Sequence, residues 1–225
     1  MRRGVALQTG LWALSLSLFV VALYMVFVWV PTEASMGIVQ RIFYFHVPSA
    51  WAGFLAFSVV FVTSILYLAK RDPKWDVVAH CSAHLGVVFT TLVLLSGPIW
   101  ARPVWGVWWT WEPRLTTALV LWVIYVAYLL VRGYASDKEQ GARFAAVIGI
   151  VGFFDVPIVF MSITWWRTQH PGPLVFQSGG LAPSMLATLL VSVAAFTSLY
   201  WVLLLQWVGL KRSEDQIEQL KDAMD

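Results

Sequence analysis

A bundle of six membrane-spanning helices is the fold the sequence predicts, and three observations predict it. The chain of 225 residues is 60% hydrophobic and only 12% charged, with a mean hydropathy of +0.74, a composition found in integral membrane proteins. Its apolar runs, at roughly 18 to 25 residues each, are long enough to cross a hydrocarbon core about 30 Å thick as helices. Those runs are continuously apolar rather than alternating, so helices are expected and barrel strands are not.

The first span covers about residues 9–30, after Arg2 and Arg3, and Pro31 ends it. It runs on past Val30 without a small-residue cleavage pattern and reads as a retained span, not a signal peptide. Residues 31–40 form a short loop leading to Arg41 and His46. A second span follows at about 49–69 and ends in the charged turn from Lys70 to Lys74. The third, about 76–96, is expected to break at Gly97-Pro98. Pro113 suits the first turn of the fourth, which extends to about residue 131. The fifth, about 142–163, carries Asp155 and Pro157, and the proline should kink it. A polar, proline-rich loop then leads to the sixth span at about 184–208. The membrane domain is thus 1–212, with a tail at 213–225 that opens with a capping-box pattern at Ser213. That tail reads either as a frayed, solvated helix or as a docking helix with Ile217, Leu220 and Met224 on one face.

Six spans put both termini on one side, and lysine and arginine decide which. The termini and the segments 70–74 and 132–143 hold Arg2, Arg3, Lys70, Arg71, Lys74, Arg132, Lys138, Arg143, Lys211, Arg212 and Lys221. The opposite segments hold only Arg41, Arg102, Arg114 and Arg167. The positive-inside rule therefore predicts cytoplasmic termini. His46, His170 and the segment between the third and fourth spans then face outward.

That segment, about 100–117, reads WARPVWGVWWTWEPRLTT. It concentrates Trp100, Trp105, Trp108, Trp109 and Trp111 beside Arg102, Glu112 and Arg114, which does not suit a span. Were residues 104–112 helical, Trp105, Trp108 and Trp109 would share one face and form an amphipathic aromatic shelf along the membrane boundary. A shelf of indoles suits a large, planar, apolar ligand. The alternative is the aromatic belt seen at membrane boundaries. Belts are roughly symmetric, whereas only Trp75 and Trp207 lie clearly near the inner boundary here. His46 and His170 flank the shelf, and neutral imidazoles on two faces of a heme give six-coordinate iron. Each also suits an interfacial histidine without a ligand. The outer arginines are either interfacial anchors or partners for ligand carboxylates, with Arg114 the foremost candidate for the second role.

His80 and His84, four residues apart in the third span, suggest a metal pair but lack an acidic partner at matching spacing. Asp155 is an acid inside a span, a position that is costly in lipid and faces protein or water. Cys81 is the only cysteine, so the chain has no internal disulfide, CxxC pair or CxxCH heme-attachment motif. It contains no P-loop, dinucleotide fingerprint, nucleophile elbow or HExxH motif, and no nucleic-acid-binding signature.

The string Trp105-Gly-Val-Trp108-Trp109-Thr-Trp111-Glu112-Pro-Arg114-Leu-Thr116 resembles the signature of the tryptophan-rich WWD heme-handling proteins. The full layout is similar to the CcmC family of the cytochrome c maturation system, with Glu112 where the motif often has Asp. The resemblance implies a heme-binding protein, not an enzyme, of the bacterial cytoplasmic membrane. It implies heme b, bound transiently and non-covalently, between His46 and His170 on the shelf of Trp105, Trp108, Trp109 and Trp111, with Glu112 and Arg114 alongside. Heme would then pass to the chaperone CcmE, with the ATP-binding-cassette unit CcmA/CcmB and the small protein CcmD as further partners. Two other functions stay open: an integral electron-transfer cytochrome, and a permease subunit.

Overall fold

A computed structural model of the chain describes residues 2–166 and 180–224. Its helices are α1 (Arg2–Tyr24), α2 (Phe43–Lys70), α3 (Pro73–Trp105), α4 (Pro113–Tyr134), α5 (Lys138–Phe153), α6 (Asp155–Trp165) and α7 (Pro183–Asp222). A π-helical turn, Met25–Trp29, continues α1, and a 3-10 turn, Ile38–Ile42, leads into α2. Taking α5 and α6 together, six helices among the described residues are long and apolar enough to cross a membrane. The protein is an all-α, multi-pass membrane protein. Large side chains such as Leu16, Val28, Val62, Leu95 and Val151 stay exposed along these helices, as a lipid-facing surface requires.

The antiparallel pair α2 and α3 forms the centre of the bundle, with α1 and α7 on one flank and α4, α5 and α6 on the other. Lipid tails are as apolar as leucine, so helices in a membrane associate through close packing and shared hydrogen bonds. Small residues supply the close packing. Gly86 of α3 lies beneath the ring of Phe57, and a Cβ there would sit 2.3 Å from Phe57 Cε1. Phe57 in turn stacks on Tyr125 at a 3.7 Å centroid distance. Ser82 Oγ donates to the Ala56 carbonyl at 2.8 Å and meets Tyr200 Oη at 2.8 Å, joining α2, α3 and α7. Trp122 Nε1 donates to Thr91 Oγ1 at 2.8 Å, joining α4 to α3.

One end of the bundle carries an ion pair. Arg132 donates from Nε and Nη2 to the buried Asp76 carboxylate, at 3.2 and 2.7 Å to Oδ2, clamping the end of α4 to the start of α3. Asp72 caps α3 by accepting from the Lys74 N–H at 3.0 Å. The Lys74 ammonium first, and then that backbone bond, hold its carboxyl below the usual carboxylate range.

Several element boundaries differ from those the sequence suggests. The third span does not break at Gly97-Pro98, because α3 continues through both Pro98 and Pro103 to Trp105. Membrane helices tolerate proline where neighbouring helices re-satisfy the freed backbone. For the same reason α2 begins at Phe43, with the buried Pro48 inside it. The segment after Trp105 is not helical: Gly106 takes φ +77° as the C-cap of α3, and regular structure resumes only at Pro113. Trp105, Trp108 and Trp109 therefore do not share a helical face. No new helix starts at Ser213; α7 runs through it, and the Ser213 hydroxyl donates back to the Gly209 carbonyl at 3.1 Å. Pro113 does occupy the first turn of α4. The fifth span is interrupted at Phe154, between α5 and α6, one turn before Pro157, which has no N–H to give the Phe153 carbonyl.

Candidate functional site

Away from the Asp76–Arg132 end, α2, α3, α4 and α6 enclose a cleft of about 680 Å³ of empty space, its open mouth included. Its wall is mostly apolar: Phe54, Val93, Leu94, Leu115 and Leu121 contribute side chains, and Gly97 and Ala101 keep the α3 face low. The polar lining residues are His46, Thr90 and Arg114, and the indoles of Trp105 and Trp109 complete the lining.

His46 lies in the first turn of α2, and its ring is fixed from α3. Nδ1 is 2.8 Å from Ser96 Oγ. The indole of Trp100 meets the imidazole edge-on at 5.9 Å, and Gly97 lies beside Cε1, which a Cβ there would meet in ordinary contact at 3.5 Å. Trp100 is itself packed against Phe43 in a buried cluster with Val26, Val30, Tyr44 and Leu189. It supports the histidine rather than forming part of a shelf.

The tryptophan segment divides into two pairs. Trp105 and Trp109 line the cleft, while Trp108 and Trp111 are 58% and 75% exposed. Trp111 packs edge-on against Trp109 at 5.7 Å. The indole N–H groups of Trp100 and Trp109 and the Thr116 hydroxyl are buried without a hydrogen-bond partner among the described residues. Buried donors of this kind are rare in the absence of a ligand or water.

Three of the four arginines on this side can be compared. Arg41 Nη1 donates at 3.1 Å to the Phe27 carbonyl, which Pro31 cannot serve because it has no N–H. Arg102 folds over the end of α3 and donates to the Gly106 carbonyl. Both are engaged in closing helix ends. Arg114 instead lines the cleft, bridging α4 to α6 through the Val159 carbonyl at 3.3 Å. Glu112, the N-cap residue of α4, acts on it electrostatically. His170 and Arg167 lie outside the described residues.

His80 and His84 are elsewhere, in the other half of α3. Their rings meet each other at 4.7 Å, and His84 packs on Trp207 at 4.9 Å. Among the described residues no three His, Cys, Asp or Glu side chains are grouped to hold a metal ion. Asp155 opens α6 with Oδ2 buried and without a hydrogen-bond partner among the described residues.

The sequence reading missed Ser96, Phe54, Thr90 and Leu115. Only the Ser96-Gly97-Pro98 string carried a signal, a small residue and two backbone specialists near a span end, and it was read as a break.

Comparison with known proteins identifies the family of the chain. The model of the CcmC family, described as heme exporter protein C, matches residues 2–221. The chain belongs to this family. Heme exporter protein C of Bradyrhizobium diazoefficiens is 38% identical over 172 residues, covering 76% of this chain and 65% of that protein. The chain thus spans just under two thirds of that relative. Heme exporter protein C of Escherichia coli K12 is 31% identical over 166 residues, 74% of this chain and 67% of that one. A ccmC-like mitochondrial protein of Marchantia polymorpha, named for cytochrome c biosynthesis, is 31% identical over 181 residues, 78% of this chain and 77% of that protein.

Proposed function

We propose that this CcmC-family protein handles heme for cytochrome c maturation, binding it in the cleft at the outer face of the membrane and presenting it to the chaperone CcmE. The observation that carries the reading is the convergence of His46, Trp105, Trp109 and Arg114 on one apolar cleft. His46 and Arg114 are 68 residues apart in sequence, so only the fold unites them.

The lining fits heme as cargo. His46 is the one metal-ligating side chain among the cleft residues, and a single protein nitrogen suits a metal that already carries four macrocycle ligands. Heme itself supplies an iron that accepts imidazole and a reactive vinyl edge. Indole faces of Trp105 and Trp109 cover apolar macrocycle surface. Arg114, a planar fork held beside the apolar wall, pairs with a carboxylate. Trp108 and Trp111 extend the aromatic surface at the mouth, where a partner protein gains access. His170 serves as the second axial ligand, and Glu112 lies close enough to Arg114 to interact with it electrostatically. Binding is transient and non-covalent, with heme b the species held. CcmA/CcmB and CcmD act with this chain, and no chemical step is assigned to it. The excess of lysine and arginine at the Asp76–Arg132 end supports cytoplasmic termini and a periplasmic cleft by the positive-inside rule.

Covalent heme on CcmE, measured in membranes of cells expressing wild type or single variants, tests this reading. His46→Ala and His170→Ala are expected to lower it strongly, and His84→Ala is expected to leave it unchanged. Undiminished heme on CcmE in the His46→Ala strain would overturn it.

A further inference from the structure

We infer that Ser96 is a positioning residue that fixes the tautomer of His46, placing the proton on Nδ1 and leaving Nε2 as the ligating nitrogen. The inference rests on the heme reading for its purpose but not for its geometry. Ser96 Oγ is 2.6 Å from the Leu92 carbonyl oxygen. Two oxygens approach that closely only with a proton between them, and a carbonyl has none to give. The single hydroxyl proton of Ser96 is therefore committed to Leu92. Toward His46, 2.8 Å away, the oxygen can only accept, so Nδ1 must be the nitrogen that carries hydrogen. Nε2 is then unprotonated, the state in which an imidazole gives its lone pair to a metal.

An unconstrained neutral imidazole favours the opposite tautomer, with hydrogen on Nε2, which blocks ligation through that atom. Histidines that bind metals are commonly held by an acceptor on the second nitrogen, and loss of such a partner costs about 10- to 100-fold in metal affinity. The fold sets this acceptor from another helix, on the turn of α3 that also carries Gly97 against Cε1 and Trp100 against the ring edge. Replacing Ser96 by alanine removes the acceptor without removing any helical backbone donor. Threonine retains the hydroxyl and the same bond to residue 92.

Carbon-13 and nitrogen-15 magnetic resonance of histidine-labelled full-length protein in lipid bilayers, without heme, tests the tautomer directly. With four histidines in the chain, the His46→Ala spectrum assigns the signal. Wild type and Ser96→Thr are expected to show hydrogen on Nδ1, and Ser96→Ala to shift the population toward Nε2. Hydrogen on Nε2 in wild type, or no change in Ser96→Ala, overturns the inference. A heme titration of the same proteins follows, in which Ser96→Ala is expected to bind about tenfold more weakly and Ser96→Thr to match wild type. Equal weakening in both variants contradicts a role through the hydroxyl. If instead His46→Ala titrates like wild type, the ligand assignment fails while the tautomer result stands on its own.

Discussion

His46 and the pair His80 and His84 occupy two ends of the same α2–α3 core, yet their surroundings differ in every respect that matters to a metal. His46 has an oxygen on Nδ1, an aromatic edge against its ring and an open cleft beside it. His80 Nδ1 is buried without a hydrogen-bond partner among the described residues, and its ring rests against His84, which rests against Trp207. The i, i+4 spacing that makes a metal pair attractive on paper belongs to the two histidines that do not line the cleft. Ligation needs an oriented ring and a space to receive the metal, and spacing supplies neither.

Changes on the two sides should separate in size. The largest effect is expected from His46→Ala, a loss of heme affinity at or beyond the upper end of the 10- to 100-fold range typical for removing a ligand's own support, measured by titration in detergent. Arg114→Gln follows, because a charge-assisted bond contributes about 1.5–3 kcal/mol, or roughly tenfold and more. Its effect should vanish when the heme carboxylates are esterified; a variant equally defective toward the ester would detach Arg114 from carboxylate binding. Trp109→Ala should weaken binding several-fold, by about 0.5–1.5 kcal/mol of aromatic contact beyond area, whereas Trp108→Ala, at an exposed residue outside the cleft lining, should change affinity less than its neighbour. His80→Ala and His84→Ala sit at the bottom of the series, with no change in affinity. A comparable loss at His80 would erase the contrast between the two ends.

Arg41 sharpens the same comparison among the arginines. Arg41→Gln deprives the Phe27 carbonyl of its donor and should cost about 1 kcal/mol of stability, seen as a lower unfolding midpoint. Heme affinity should not follow it.

Much of this was legible in the chain. Six continuous apolar runs, Pro113 at a helix start and Pro157 within the fifth span state their consequences locally, since each acts through its own backbone. The cleft was half legible: His46 and the tryptophan segment stand out by residue type, and Arg114 by proximity to them. The fold of that segment was not. A helix-like spacing of Trp105, Trp108 and Trp109 competes with Gly106, and the left-handed turn at Gly106 prevails. Gly97-Pro98 was misread because water-soluble rules penalise proline within a helix, whereas in a packed membrane bundle α3 runs through it. Ser96 could not be found at all, because its partner lies 50 positions away and one serine among apolar residues carries no pattern.

The optical spectrum of the purified full-length chain, wild type beside His46→Ala and His80→Ala, each with and without added imidazole, is the most direct measurement. Heme should copurify with wild type and with His80→Ala and give a six-coordinate spectrum. His46→Ala should lose that spectrum and regain it when imidazole fills the vacated position. A His46→Ala protein with the wild-type spectrum, or the same loss in His80→Ala, would contradict heme ligation from the cleft.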